Sequence, residues 1–71
     1  MMIYQIDDKP WTIINGEPQQ VRILALNIVC SAGQVEEKYV CRYGTLHTLN
    51  LYANELFPTK EELLIYAKNL H

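Results

Sequence analysis

The chain has 71 residues, which is enough for one small domain over residues 1–71. It carries 6 Lys and Arg against 8 Asp and Glu, a net charge of −2, and 49% of its residues are hydrophobic. This composition predicts a folded, mildly acidic domain. It excludes a membrane-spanning segment, and the N-terminus lacks the pattern of a secretory signal, so we expect a cytoplasmic protein with no membrane partner.

The N-terminal part of the chain predicts short strands joined by tight turns. Residues 2–6 are predicted to form a first strand, and Trp11–Ile14 is rich in residues that favour strands. Asn15-Gly16 follows, and this pair is the strongest short signal for a two-residue hairpin turn. Because Pro18 cannot donate to a strand ladder, we expect the returning strand to begin near Gln20.

The longest apolar stretch, residues 20–31, changes its alternation part-way. Val21 and Ile23 share one phase, and from Leu24 every second residue to Cys30 shares the other. A phase change inside a strand predicts a β-bulge near Ile23 and Leu24. A helix is the alternative, but the β-branched residues of this stretch favour a strand.

Two further strands are predicted before the hydrophobic pattern changes from the alternation of a strand to the spacing of a helix. Residues 31–34 form a turn, and residues 35–43 alternate between apolar and polar, with Glu37 as a charged exception on the apolar phase. Gly44 ends this strand, and residues 45–52 form the next. In the last segment Thr59 and Glu62 have the spacing of a capping box, which predicts a helix over residues 60–70.

Several short strands followed by one helix predict a mainly β fold. The most economical closure is a small SH3-like antiparallel barrel of about five strands with a C-terminal α-helix. The alternative is an open meander of four or five strands with the helix across one face. The segment 11–18 (WTIINGEP) and the nine-residue segment 56–64 (LFPTKEELL) resemble those of short uncharacterised proteins of bacteria and mobile elements that have SH3-like or Tudor-like barrels. This resemblance implies a fold and assigns no site residue.

The chemically reactive side chains do not form a catalytic or metal-binding pattern. Cys30 and Cys41 lie in apolar runs, so we expect both thiols to be reduced and buried. A hairpin turning at Ala32-Gly33 places Cys41 opposite Leu24, which disfavours a bridge between them. No close pair of Cys or His ligands is present, and no known signature accompanies the cysteines. We therefore expect no catalytic residue, no metal, no cofactor and no enzymatic activity.

The aromatic side chains are the best candidates for a binding surface. Most are expected in the core, but two or three are expected to line a shallow groove for an extended segment, as in SH3-type modules. The candidate partner-binding residues are Trp11, Tyr43, Tyr52, Ile65 and Tyr66. We predict a non-enzymatic interaction module that binds an unknown protein or peptide. The alternative is a nucleic-acid-binding barrel, although the scattered basic residues disfavour that partner. We also expect a weak homodimer, through the helix face or an open strand edge.

Overall fold

A computed structural model describes residues 4–69 of the chain. It contains five strands, one short 3-10 helix and one α-helix at the C-terminal end, which confirms a mainly β fold with one C-terminal helix. The elements are β1 (Trp11–Ile14), β2 (Glu17–Gln20), β3 (Arg22–Ser31), β4 (Gln34–Tyr43), β5 (His47–Leu51), the 3-10 helix (Ala53–Glu55) and α1 (Lys60–Lys68).

The strands form two sheets and, within residues 4–69, they do not close into a barrel. β1 and β2 form one antiparallel hairpin, and β3, β4 and β5 form a separate three-stranded meander. The alternative, an open meander of four or five strands, is wrong because β1 and β2 form a separate sheet. The physical reason is that Val21 is the only residue between β2 and β3. Its N–H donates to the Pro10 carbonyl and so continues the register of the first hairpin. Because an antiparallel pair of consecutive strands needs a turn of at least two residues between them, β2 and β3 do not pair.

The segment before β1 is a turn, where the sequence predicts a strand over residues 2–6. The described part of that stretch is irregular, and residues 2 and 3 lie outside the described residues. The Gln5 N–H donates to Oδ2 of Asp8 at 2.8 Å, and the Asp8 N–H donates back to the Gln5 carbonyl. Asp7 lies between them with a φ of 76°. An aspartate whose carboxylate accepts from a nearby backbone N–H in this way favours a turn over a strand.

The first hairpin has the predicted turn but an earlier return strand. Asn15 and Gly16 both have positive φ, as a type I′ turn requires. β2 nevertheless begins at Glu17 and includes Pro18, which lies opposite Ile13. Pairs in an antiparallel ladder alternate between hydrogen-bonded and non-hydrogen-bonded, and Pro18 occupies the second position from the turn, where no N–H is needed. The expectation that Pro18 delays the strand to Gln20 is therefore wrong.

The bulge predicted in the long strand is confirmed, and it changes the register of one cysteine. Ile23 pairs with Cys41 and Ala25 with Val40, so Leu24 is the extra residue. Cys41 therefore lies opposite Ile23, and the predicted pairing with Leu24 is wrong by one position. Cys41 is buried as expected. Cys30 is exposed, which corrects the expectation that both thiols are buried, because its part of the hairpin extends beyond the core.

The core lies against one face of the three-stranded sheet. Its buried members come from the N-terminal segment, from Val21, from β3 and β4, and from the residue after the 3-10 helix. They are Tyr4, Val21, Ile23, Tyr39, Cys41 and Leu56. The rings of Tyr4 and Tyr39 meet edge to face, with centroids 5.6 Å apart. This contact holds the N-terminal segment on the sheet.

The C-terminal helix starts where the sequence predicts. Oγ1 of Thr59 accepts a hydrogen bond from the Glu62 N–H at 3.2 Å, which confirms Thr59 as the N-cap. α1 packs on the β1–β2 hairpin and buries Leu63. Lys68 is its last residue, and the predicted end at residue 70 lies outside the described residues. Within residues 4–69 no helix has the length and apolar character needed to cross a membrane.

Candidate functional site

A shallow cleft lies between the β1–β2 hairpin and the C-terminal part of the chain. It has a volume of about 220 Å³ and is open to solvent. Its walls come from β1, the end of β5, the 3-10 helix, the loop before α1 and α1 itself. The lining residues are Thr12, Ile13, Leu51, Asn54, Glu55, Phe57, Leu63 and Tyr66. We call this feature the aromatic cleft, because two aromatic side chains, Phe57 and Tyr66, line it.

Backbone pairing and ring contact position the aromatic walls of this cleft. The Trp11 N–H donates to the Phe57 carbonyl at 2.7 Å, and the Phe57 N–H donates to the Trp11 carbonyl at 2.8 Å. The Phe57 and Tyr66 rings are tilted against each other with centroids 5.0 Å apart. The floor is fixed by Thr12, whose hydroxyl donates to the Glu55 carbonyl at 2.8 Å. The cleft is therefore built by contacts between distant segments.

The five predicted binding residues do not share one surface. Tyr66 lines the aromatic cleft, and Trp11 adjoins it through its backbone bridge to Phe57. Ile65 is exposed on α1 but does not line the cleft.

The two remaining tyrosines of the prediction lie elsewhere, near β5. The Tyr52 ring is covered by Nζ of Lys38, 4.8 Å from the ring centroid. Tyr43 stacks against His47, with centroids 6.2 Å apart. Each of these rings has a local partner of its own, and neither lines the aromatic cleft.

Sequence reasoning missed Ile13 and Phe57 as cleft residues. Phe57 pairs with Trp11 through its backbone and also lines the cleft. Ile13 is an exposed isoleucine directly before the Ile14-Asn15-Gly16 turn. Thr12 is buried, and neighbouring residues of a strand point to opposite faces, so Ile13 faces outward. The sequence alone does not tell which of the two faces inward.

A second, more polar depression collects basic residues. Its volume is about 590 Å³, and its lining residues are Lys9, Gln20, Val21, Arg22, Arg42, Gly44 and Thr45. Arg22 and Arg42 lie directly opposite each other on neighbouring strands. Like charges in this position repel each other. Asp7 offsets part of this repulsion, because its Oδ1 lies 2.7 Å from Nη2 of Arg22.

The buried thiol has the wrong environment for nucleophilic chemistry. Burial raises the pKa of the Cys41 thiol to about 11, so it stays protonated at neutral pH. A reactive cysteine needs the opposite shift, toward the thiolate. His47 is not the strand partner of Cys41, because His47 pairs with Tyr43, whereas Cys41 pairs with Leu49. Among residues 4–69, no group of three or more His, Cys, Asp or Glu side chains is placed to hold a metal ion.

Comparison with known proteins assigns no family: no protein-family model, no curated protein and no solved structure matches this chain.

Proposed function

We propose that this chain is a non-enzymatic interaction module that binds an extended peptide segment of a partner protein at the aromatic cleft. The observation that supports this proposal is an open cleft of about 220 Å³ lined by aromatic and aliphatic side chains. Small-molecule and cofactor sites have volumes of about 300–1,000 Å³ and enclose most of the ligand. A smaller open cleft fits one side chain of a longer segment.

The chemistry of the walls defines the kind of segment. Ile13, Phe57 and Tyr66 offer apolar contact to an aliphatic or proline side chain. Glu55 is the one charged residue among the lining residues, so a basic residue next to the apolar anchor is favoured. Such grooves bind extended segments through a few pockets, as SH3-type modules do. We propose the same relationship for the fold: two separate antiparallel sheets, as a partly open variant of an SH3-like module. Both cysteines are free, which suits a cytoplasmic protein.

The experiment is selection from a random peptide library displayed on phage, with the full chain immobilised. Selected peptides are then tested by isothermal titration calorimetry against two helix variants. Tyr66 and Leu64 are each 46% exposed on α1, but only Tyr66 lines the cleft. We expect Tyr66→Ala to weaken binding about tenfold, a loss of about 1.4 kcal/mol, and Leu64→Ala to leave it unchanged.

Two results would count against this proposal. Failure of the library to enrich any sequence would remove peptide binding as the function. Equal loss of affinity in Leu64→Ala and Tyr66→Ala would place the binding surface outside the cleft. Circular dichroism of both variants establishes that each keeps the fold.

The alternative, a nucleic-acid-binding domain, rests on the basic depression. Lys9, Arg22 and Arg42 meet there although the chain is acidic overall. Phosphate binding by such residues falls steeply with salt, because counterions are released. Titration of single-stranded DNA and RNA at several salt concentrations distinguishes the two functions. Binding that weakens with salt and is lost in Arg42→Gln supports the nucleic-acid function, whereas no binding at low salt removes it.

A further inference from the structure

The β3–β4 hairpin extends well beyond the rest of the molecule. β5 pairs only with the Tyr39–Tyr43 half of β4, and every residue from Asn27 to Glu37 is exposed. We call residues 27–37 the arm. An isolated two-stranded hairpin is marginally stable in water, and a third strand usually supports it. Within residues 4–69 no third strand lies against the arm.

The outer edge of β3 presents free backbone groups along the arm. Ser31 and Gln34 flank the two-residue turn and form a hydrogen-bonded pair. In an antiparallel ladder such pairs alternate with pairs whose backbone N–H and C=O groups point away from the partner strand. The N–H and C=O groups of Leu26, Ile28 and Cys30 therefore face the open edge. The backbone groups of Ile23 also point away from β4. Its N–H donates to the Asp8 carbonyl and its carbonyl accepts from the Asp7 N–H, both at 2.9 Å. The edge is thus covered at Ile23 and open beyond it.

This open edge lacks the features that normally prevent strand pairing. Exposed edges usually carry a charge, a proline or a bulge along their length. The segment 24–31 contains no charged residue and no proline, and its bulge lies at the covered end. The opposite edge of the arm differs, because Glu36, Glu37 and Lys38 lie along β4. Only the β3 edge is therefore suited to adding a strand.

We propose that the β3 edge pairs antiparallel with the β3 edge of a second copy of this chain. The covered Ile23 and the turn at Ala32-Gly33 limit the pairing to residues 25–31. Ile28 is the middle residue of that range, and its backbone groups face outward, so the pairing centres on it. Ile28 then lies opposite Ile28 of the second copy, and Leu26 opposite Cys30 of the second copy. The product is a six-stranded sheet, because each copy contributes β3, β4 and β5, and its two-fold axis passes through the Ile28 pair.

A second copy of this chain is the favoured partner because the β3 edge can pair with an identical β3 edge. A two-fold contact needs only one self-complementary edge, and an uncharged edge brings no like charges together. The side chains at Leu26, Ile28 and Cys30 continue the core face of the sheet, so apolar groups meet apolar groups across the new pairing.

The length of the edge predicts a weak dimer. Seven residues give a contact about 24 Å long that buries on the order of 500 Å² in total, below the roughly 1,200 Å² of the smallest stable interfaces. The dimer therefore depends on concentration. This inference does not depend on peptide binding at the aromatic cleft, whose lining residues lie outside the arm.

The test is sedimentation equilibrium of the full chain from about 10 µM to about 1 mM, a range that covers weak association. Ile28→Lys places two like charges at the two-fold axis and is expected to raise the dissociation constant at least tenfold. Val35→Lys is the matched control: Val35 and Ile28 are 64% and 54% exposed and lie on the same face, but Val35 is on β4. It should leave the association unchanged.

A cross-link tests the register. In a Cys30→Ser background, Ile28→Cys should form a dimeric disulfide on mild oxidation, because Cα atoms of a hydrogen-bonded antiparallel pair are about 5.5 Å apart. Val35→Cys should not form this disulfide, since Val35 is on β4, and β3 lies between β4 and the two-fold axis. A wild-type chain that is monomeric at about 1 mM would overturn the proposal. Equal loss of association in both Lys variants, or an equal cross-link at both Cys positions, would also overturn it.

Discussion

Trp11 and Phe57 exchange two backbone hydrogen bonds, 2.7 and 2.8 Å long, and so join the first hairpin to the segment that leads into α1. Thr12 adds a third contact next to this pair, because its buried hydroxyl donates to the Glu55 carbonyl. These contacts hold together two parts of the chain more than forty residues apart in sequence. The aromatic cleft forms between those parts, so its shape depends on this junction.

Replacing Thr12 tests the junction. Thr12→Val keeps the shape of the side chain but leaves the Glu55 carbonyl without its donor, which is expected to cost about 1–3 kcal/mol of unfolding free energy. Thr12→Ser retains the hydroxyl and should recover most of that loss. Urea unfolding monitored by Trp11 fluorescence measures both. Equal stability of Thr12→Val and the wild type would show that this hydrogen bond does not hold the junction.

The helix N-cap makes a second prediction. Thr59→Ala removes the acceptor for the Glu62 N–H and is expected to lower the unfolding free energy by about 1 kcal/mol. Thr59→Ser keeps an acceptor and should change it little. Thermal unfolding by circular dichroism compares the two variants. If both melt like the wild type, docking of α1 does not depend on this cap.

The turn of the arm contains an alanine in an unfavourable conformation. Ala32 has a φ of 51°, in the left-handed region that costs a non-glycine residue about 1–2 kcal/mol. Ala32→Gly should therefore raise the unfolding free energy by about 0.5–1 kcal/mol, after the entropy cost of glycine. Ala25→Gly is the control, because Ala25 lies in β3 without positive φ and should lose stability. Loss of stability in both variants would contradict the turn geometry.

The two cysteines should differ in their reaction with a thiol reagent. Cys30 is exposed and Cys41 is buried, so one thiol per native chain should react quickly and the second only on unfolding. Ellman's reagent, added before and after denaturation, counts them. Cys30→Ser should remove the fast phase. Two slow thiols in the native wild-type protein would place Cys30 inside the fold.

Burial of Cys41 makes stability fall at alkaline pH. Burial raises the pKa of this thiol from its ordinary value of 9.0 to about 11 in the folded chain. Above pH 9 the unfolded chain loses the proton while the folded chain keeps it, so the unfolding free energy falls as pH rises toward about 11. The fall is at most about 3 kcal/mol for a shift of this size.

Comparison with Cys41→Ala separates this thiol from other groups. Burial also raises the pKa of Tyr4, with smaller effects from Glu62, Tyr39 and Asp8, so part of the alkaline loss belongs to that phenol. The variant should keep the Tyr4 part and lose the Cys41 part, which makes its stability profile flatter between pH 9 and 11. Denaturant titrations at several pH values measure this. Parallel profiles for the two proteins would contradict the assignment.

Local features of the chain were predictable because they depend on neighbouring residues. The turn at Asn15-Gly16 and the cap at Thr59 each need only a few adjacent side chains to form. The bulge after Ile23 was predictable from the change of phase in one strand. The same local reasoning failed at Pro18, because the ladder position that tolerates proline depends on the register of the partner strand.

The residues of the aromatic cleft were predicted only in part, because the cleft joins segments from both ends of the chain. The sequence predicts Tyr66 and Trp11 as candidate binding residues, but Phe57 and Ile13 join them only through the bridge between β1 and the segment before α1. No local pattern encodes that bridge. Tyr43 and Tyr52 looked equivalent to Trp11 in sequence, and the fold gave them other partners, His47 and Lys38.

The sequence by itself determined the class of fold, the turns, the bulge and the helix start, since turn, cap and alternation energies act between residues close in the chain. Tertiary structure alone decided that β2 and β3 do not pair, that Cys30 lies on an exposed arm and that an aromatic cleft forms beside α1. These outcomes depend on which distant segments satisfy each other's backbone groups and bury each other's apolar surface. In this chain the N–H of Val21 bonds the Pro10 carbonyl and that of Ile23 bonds the Asp8 carbonyl, so the start of β3 pairs with the segment before β1 and not with β2.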